Sequence, residues 1–151
     1  MKVSKEKIKS LSPCAEGYAW YLKNQETDVR KLLLSTNEVN PSWANWLFSN
    51  LMNRKQRIEI AIYAATLVLP IFESAYPNDK RPRAAIAAAK AVLKNDTKEN
   101  RDASYAAATA YAAYAAYAAA AAASYAAAAA KKQVQEKIIL KAIRILEEGD
   151  K

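Results

Sequence analysis

A chain of 151 residues has the length of one domain and can bury a substantial core without covalent or metal staples. Apolar residues make up 52 %, with two glycines and five prolines, a balance that favours helix almost throughout. The formal charge of +8 suits nucleic acid, anionic membrane or an acidic protein without choosing among them, and the single cysteine, Cys14, excludes an intramolecular disulfide.

In chain order, Met1 to Ser10 alternates lysine with polar residues and lacks the apolar stretch of a secretory signal, so a cytoplasmic location is expected. Ser12-Pro13 reads as a helix cap and first turn, with Glu16 suited to the positive end of the helix dipole, and the helix is expected to run to about Asn24. Val29, Leu32 and Leu33 mark a short helix. Asn40-Pro41 starts the next by the same capping logic, with Trp43, Trp46, Leu47 and Leu51 at helical spacing on its inner face. From Arg54 a strong apolar run follows. Ile58, Ile62, Ala65 and Leu69 form a stripe that Ile60, Leu67 and Ile71 widen, and Pro70 is expected to kink it.

Asn78 to Arg83 reads as a turn into a helix whose inner face carries Ile86, Ala89 or Lys90, and Leu93. Asn95-Asp96-Thr97 closes that helix and caps the next. The last third has no glycine or proline before Gly149 and should be helical. One unbroken rod of nearly fifty residues would be about 75 Å long, so a break is expected near Ser124 or Lys131. The closing segment, with Val134, Ile138, Ile139, Ala142, Ile145 and Leu146, is amphipathic.

Residues 103–130 carry no charge and are almost all alanine, relieved mainly by tyrosine. A helix that is apolar on every side is normally buried. The adopted reading is a central helix with the others packed around it, because alanine lets neighbouring helices approach closely. A membrane span satisfies the length, yet alanine is weakly apolar and five tyrosines interrupt it. An ice-binding face would need repeated threonine, and Thr109 stands alone. Tyr114, Tyr117 and Tyr125 come close to the spacing of an oligomer seam. The expected architecture is thus all-α, a compact multi-helix bundle forming a single domain over residues 1–151.

The sequence contains no histidine, which removes the commonest general base and metal ligand. With a single cysteine, zinc binding is disfavoured, and no phosphate loop, dinucleotide fingerprint or nucleophile elbow occurs. No catalytic residue, metal or cofactor is expected. Two clusters remain. Asp79, Arg81 and Arg83 surround Pro82; arginine pairs fork-like with carboxylate or phosphate. They form either an internal clamp, closed on Glu73 or Glu16 with Asp79 capping the helix start, or an anion-binding corner and partner hot spot. Tyr18, Trp20, Tyr21, Trp43, Trp46 and Phe48 form an aromatic set. Trp20 and Tyr21 point about 100° apart on a helix, so both cannot face inward, and some aromatic surface is left over for a partner or for stacking of single-stranded nucleic acid.

Cys14-Ala15-Glu16-Gly17-x-Ala19-Trp20 resembles the opening of the Imm-5-like immunity protein family. So do Val68-Leu69-Pro70-Ile71-Phe72-Glu73 and the segment Tyr76-Pro77-Asn78-Asp79-x-Arg81-Pro82-Arg83-x-Ala85-Ile86. The alanine-rich tail is similar in style, and the resemblance runs from Cys14 to about Ala130. It departs from the family in the purity of that tail and after Lys131. The resemblance implies a small all-helical bacterial or phage protein that binds and neutralises a toxin or nuclease. With the residues above, it points to a non-enzymatic inhibitor acting by occlusion on a partner with acidic surface. Asp79, Arg81, Arg83, Trp43, Trp46, Glu16 and Trp20 are the candidate contacts. The alternatives are a phage-encoded inhibitor of a bacterial defence system and a basic protein that binds nucleic acid or an anionic ligand.

Overall fold

The computed structural model describes residues 1–104 and 128–149. The fold is an all-α, multi-helix bundle, as the composition implies, and among the described residues the sole β pairing is an isolated antiparallel bridge between Lys2 and Asp28. Seven helices are described in full: α1 (Lys5–Ser10), α2 (Ala15–Asn24), α3 (Val29–Val39), α4 (Pro41–Leu51), α5 (Arg54–Ala75), α6 (Arg81–Lys94) and α7 (Ala128–Glu148). The chain divides into two compact units. One comprises Met1–Arg57 with Gln135–Lys151, the other Ile58–Val134. The expectation of a central alanine helix, and of a break near Ser124, falls outside the described residues. Of the alternative, a break near Lys131, the described part shows none: α7 is continuous over Ala128–Glu148.

In the first unit, short polar side chains set the helix starts. The Ser4 hydroxyl accepts from the Lys7 N–H (3.1 Å), Asp28 from Lys31 (3.0 Å) and Asn40 from Ser42 (2.9 Å). Each satisfies a backbone donor that the first helical turn leaves open. Pro41 follows Asn40 at the first helical position, as expected. The Ser12-Pro13 expectation is corrected. Helix α2 begins two residues later, at Ala15, with Cys14 as its cap, because Ser12 adopts a left-handed φ of 56° and turns the chain out of α1. Asn24 does end that helix. Gln25 then takes the left-handed position (φ 51°), and its N–H closes on the Tyr21 carbonyl at 2.8 Å.

The core of this unit lies on α3, α4 and the second half of α7. Leu32, Leu33 and Thr36 are buried on α3, Ala44, Leu47 and Phe48 on α4, and Ile139, Ala142, Ile143 and Leu146 on α7. That last set follows the i, i+3, i+4, i+7 pattern of one helix face. Burying each such Leu or Ile contributes about 1.5–3 kcal/mol, so packing holds α7 in place and polar links set its register. Gln135 Nε2 donates to Asn37 Oδ1 (3.0 Å) and Asn45 Oδ1 (2.8 Å), and Gln56 Nε2 donates to the Ile145 carbonyl (3.1 Å). Arg30 forks onto Glu147 at 2.9 and 2.7 Å. Thr36, the one buried polar residue among those described, donates its hydroxyl hydrogen to the Leu32 carbonyl at 2.6 Å.

The second unit holds most of α5, with α6 and the helical residues 98–104. Helix α5 continues past Pro70 to Ala75. Its apolar residues surround the axis, so no single stripe is sealed: Ile60 is buried, Ile58, Ile62, Ala65 and Leu69 are half-buried, and Val68 and Ile71 are exposed. By length and composition alone, α5 is long and apolar enough to cross a membrane. On α6, Pro82 and Val92 are buried, while the expected inner residues Ile86, Ala89 and Leu93 are half-buried and Lys90 is exposed. The closing turn behaves as its sequence requires. Asn95 ends α6, and the Thr97 hydroxyl accepts from the Asn100 N–H at 3.2 Å.

Candidate functional site

The two clusters singled out in the sequence meet different fates. In the Asp79 corner, Arg81 forks onto Asp79 (Nε–Oδ1 2.9 Å, Nη2–Oδ2 2.7 Å), and Asp79 Oδ1 also accepts from the Arg81 backbone N–H at 3.0 Å. One carboxylate therefore both orders the helix start and holds an arginine. Arg83 forks onto Glu73 on α5 with the same 2.9 and 2.7 Å geometry. Of the two partners expected for this clamp, Glu73 provides it. Glu16 lies exposed on α2 in the first unit. The guanidinium hydrogen bonds hold the Asp79 and Glu73 carboxyls below the usual carboxylate range, and the Glu73 carboxylate raises Arg83 in return. These arginines already meet the planar anions that their fork geometry suits. The corner thus reads as an internal clamp joining α5 to α6.

The aromatic set, in contrast, leaves surface unfilled. In the first unit a half-open cleft of about 400 Å³ is lined by Trp20, Trp43 and Trp46 together with Ile8, Ser12, Pro13, Cys14, Gly17, Tyr21, Leu32, Thr36 and Leu47. Four helices and one loop build it. Helix α1 gives Ile8, the left-handed turn at Ser12 swings Pro13 and Cys14 to the rim, α2 gives Gly17, Trp20 and Tyr21, α3 gives Leu32 and Thr36, and α4 gives Trp43, Trp46 and Leu47. Trp20 and Trp43 face each other with ring centroids 6.4 Å apart and planes tilted by 48°. That spacing lies within the attractive range for aromatic pairs. Trp20, Trp43 and Trp46 are all half-buried.

Gly17 is what lets the two helices meet here. A Cβ at Gly17 would lie 3.5 Å from the Trp43 ring and 3.2 Å from Cys14 Sγ, so the indole rests against the bare α2 backbone. The floor is apolar and fixed: Leu32 is 1 % exposed, and Tyr21 is buried deeply enough that desolvation raises its phenol pKa. Among the described residues no Lys, Arg, Asp or Glu lines the cleft. Such a surface can hold an apolar group against rings. Among the described residues no group of three or more His, Cys, Asp or Glu is placed to hold a metal ion.

Sequence periodicity put Trp43 and Trp46 on the inner face of α4. The buried positions are in fact Ala44, Leu47 and Phe48, which rotates both tryptophans to the edge of the core. Gly17, Cys14 and Thr36 were not read as site residues. The signal for Gly17 was its i, i+3 relation to Trp20, which places both on one face of α2. No family model, curated protein or solved structure matches this chain.

Proposed function

We propose that this chain is a non-catalytic binding protein of the immunity type, which occludes a protein partner such as a toxin or nuclease through the tryptophan-lined cleft. One observation carries the reading: the three tryptophans of the sequence sit half-buried around one cleft in the helical first unit, and no Lys, Arg, Asp or Glu among the described residues lines it. Partly desolvated tryptophan in a preformed pocket is the usual make-up of an energetic hot spot. A body whose helices are already fixed loses little conformational freedom on docking. The net charge of +8 favours a partner with acidic surface and speeds encounter with it. The resemblance of the segments around Cys14 and Asp79 to Imm-5-like immunity proteins agrees with this role, as does the expected cytoplasmic location. The clamp geometry of Arg81 and Arg83 gives no support to an anionic ligand at that corner.

The test is selection of a displayed random peptide library on the immobilised protein, with the Trp43→Ala variant as counter-selection. Enrichment of sequences that bind wild type and not the variant, with acidic residues flanking an apolar anchor, is expected. A library that enriches nothing beyond what the variant retains overturns the proposal.

A further inference from the structure

We propose that the cleft selects an uncharged aromatic ring, so that the anchor of the partner is a neutral ring-bearing side chain. This rests on the binding role argued above and names the group that enters the site. Among the described residues the lining carries no Lys, Arg, Asp or Glu; its polar side-chain groups are the Ser12 and Thr36 hydroxyls, the Cys14 thiol, the Tyr21 phenol and the indole N–H groups of Trp20, Trp43 and Trp46. The Thr36 hydroxyl hydrogen is already committed to the Leu32 carbonyl at 2.6 Å. A carboxylate or ammonium entering the cleft would lose hydration and find no opposite charge in return. The volume of about 400 Å³ lies near the lower end of the range for ligand pockets, enough for one ring system with its linker.

The choice of ring over aliphatic chain follows from the walls. Trp20 and Trp43 stand 6.4 Å apart at a 48° tilt, held by α2 and α4, so an entering ring meets one indole face and the other obliquely. Offset and edge-on contacts of this kind add to area burial, by a factor on the order of three to ten in affinity. A branched aliphatic group of similar size would gain the burial without that increment. A cation could stack on an indole, but Glu16, the carboxylate next to Gly17 in sequence, is exposed and outside the lining, and among the described residues no other acid lines the cleft.

Cys14 supplies the readout, being the one cysteine, exposed, and at the rim of the cleft. Its alkylation rate by iodoacetamide would be followed in the full-length protein during titration with four probes: N-acetyl-tryptophanamide, N-acetyl-leucinamide, N-acetyl-tryptophan as the carboxylate, and tryptamine. The neutral indole amide is expected to slow alkylation saturably. The leucine amide should need at least threefold more, and the two charged indoles at least tenfold more, for the same protection. Trp43→Ala should abolish protection. Should that variant fail to fold, Gly17→Ala serves instead, since its added methyl narrows the same space and should weaken protection severalfold. Equal or better protection by either charged indole or by the leucine amide overturns the proposal, as does no protection up to the solubility limit of the neutral amide. The two readings fail separately. If the neutral amide protects but no peptide is selected, the protein-partner role falls and the ring site stands. If peptides are selected with charged or aliphatic anchors, the ring preference falls and the partner role stands.

Discussion

The Asp79 corner and the tryptophan cleft are each built where the chain turns into or between helices, and each joins at least two helices. At the corner, two arginines meet two carboxylates at 2.7–2.9 Å. At the cleft, Trp20 and Trp43 meet each other, Trp43 lies against a bare stretch of backbone, Trp46 joins the lining, and room is left over. Charged groups are strongly driven to find opposite charges, and a turn rich in both signs tends to close on itself. Flat rings cannot tile a helix junction without gaps, and nothing in the local sequence fills those gaps. The residues most conspicuous as chemistry are therefore absorbed by the fold, and the less conspicuous ones remain available to a partner.

Four perturbations would break or sharpen that contrast. The largest effect is expected from Leu32→Ala. Removing a side chain that is 1 % exposed beneath the cleft should cost about 2–5 kcal/mol in urea unfolding, because the cavity left behind collapses only in part. A cost under 1 kcal/mol would mean that the cleft floor is not tightly packed. Next, Trp43→Ala should weaken binding of a selected peptide by about 2 kcal/mol or more, measured by calorimetry. The double substitution Arg81→Gln with Arg83→Gln should leave that affinity within twofold. A loss as large as that of Trp43→Ala would return the corner to the binding surface.

Gly17→Ala separates stability from binding. Alanine in a helix interior is favoured over glycine by up to about 1 kcal/mol, whereas its methyl would press on Cys14 Sγ at 3.2 Å and the Trp43 ring at 3.5 Å. The melting temperature should hold or rise while peptide affinity falls. A fall in both would show that the indole cannot yield.

The smallest effect concerns pH. The Glu73, Asp79 and Glu147 carboxyls are all held below their ordinary range by arginine. Their contribution to stability is complete above the unfolded-state carboxylate range and is lost as pH falls through the lowered folded values. Thermal midpoints should accordingly fall on acidification below the ordinary carboxylate range, and the fall should shrink in the doubly substituted arginine variant. The exposure of these pairs keeps the effect modest and makes it weaker in high salt.

Much of the first unit was legible in the sequence because its signals were local. Asn40-Pro41, the trio Val29, Leu32 and Leu33, and the spacing of Ile139, Ala142 and Leu146 each define an element with a few neighbouring residues. The Asp79–Arg81 contact was legible for the same reason, since both partners lie within one turn. What periodicity missed depends on approach in space. Helix α4 buries Ala44 and Phe48 and sets the Trp43 ring beside Gly17 on a different helix, an approach that no short window of sequence contains. The start of α2 was misplaced because Ser12 takes a left-handed conformation that serine does not advertise. The apolar stripe of α5 proved too wide to single out one face.

Because Trp20, Trp43 and Trp46 are the full complement of tryptophan in the chain, emission excited at wavelengths that the nine tyrosines do not absorb arises from the cleft alone. An unlabelled sample thus carries its own optical gauge of whether that hollow is wet or occupied. A blue shift on mixing with any compound, peptide or fraction would report entry there, and a signal that stays constant would report that the hollow was left as it was.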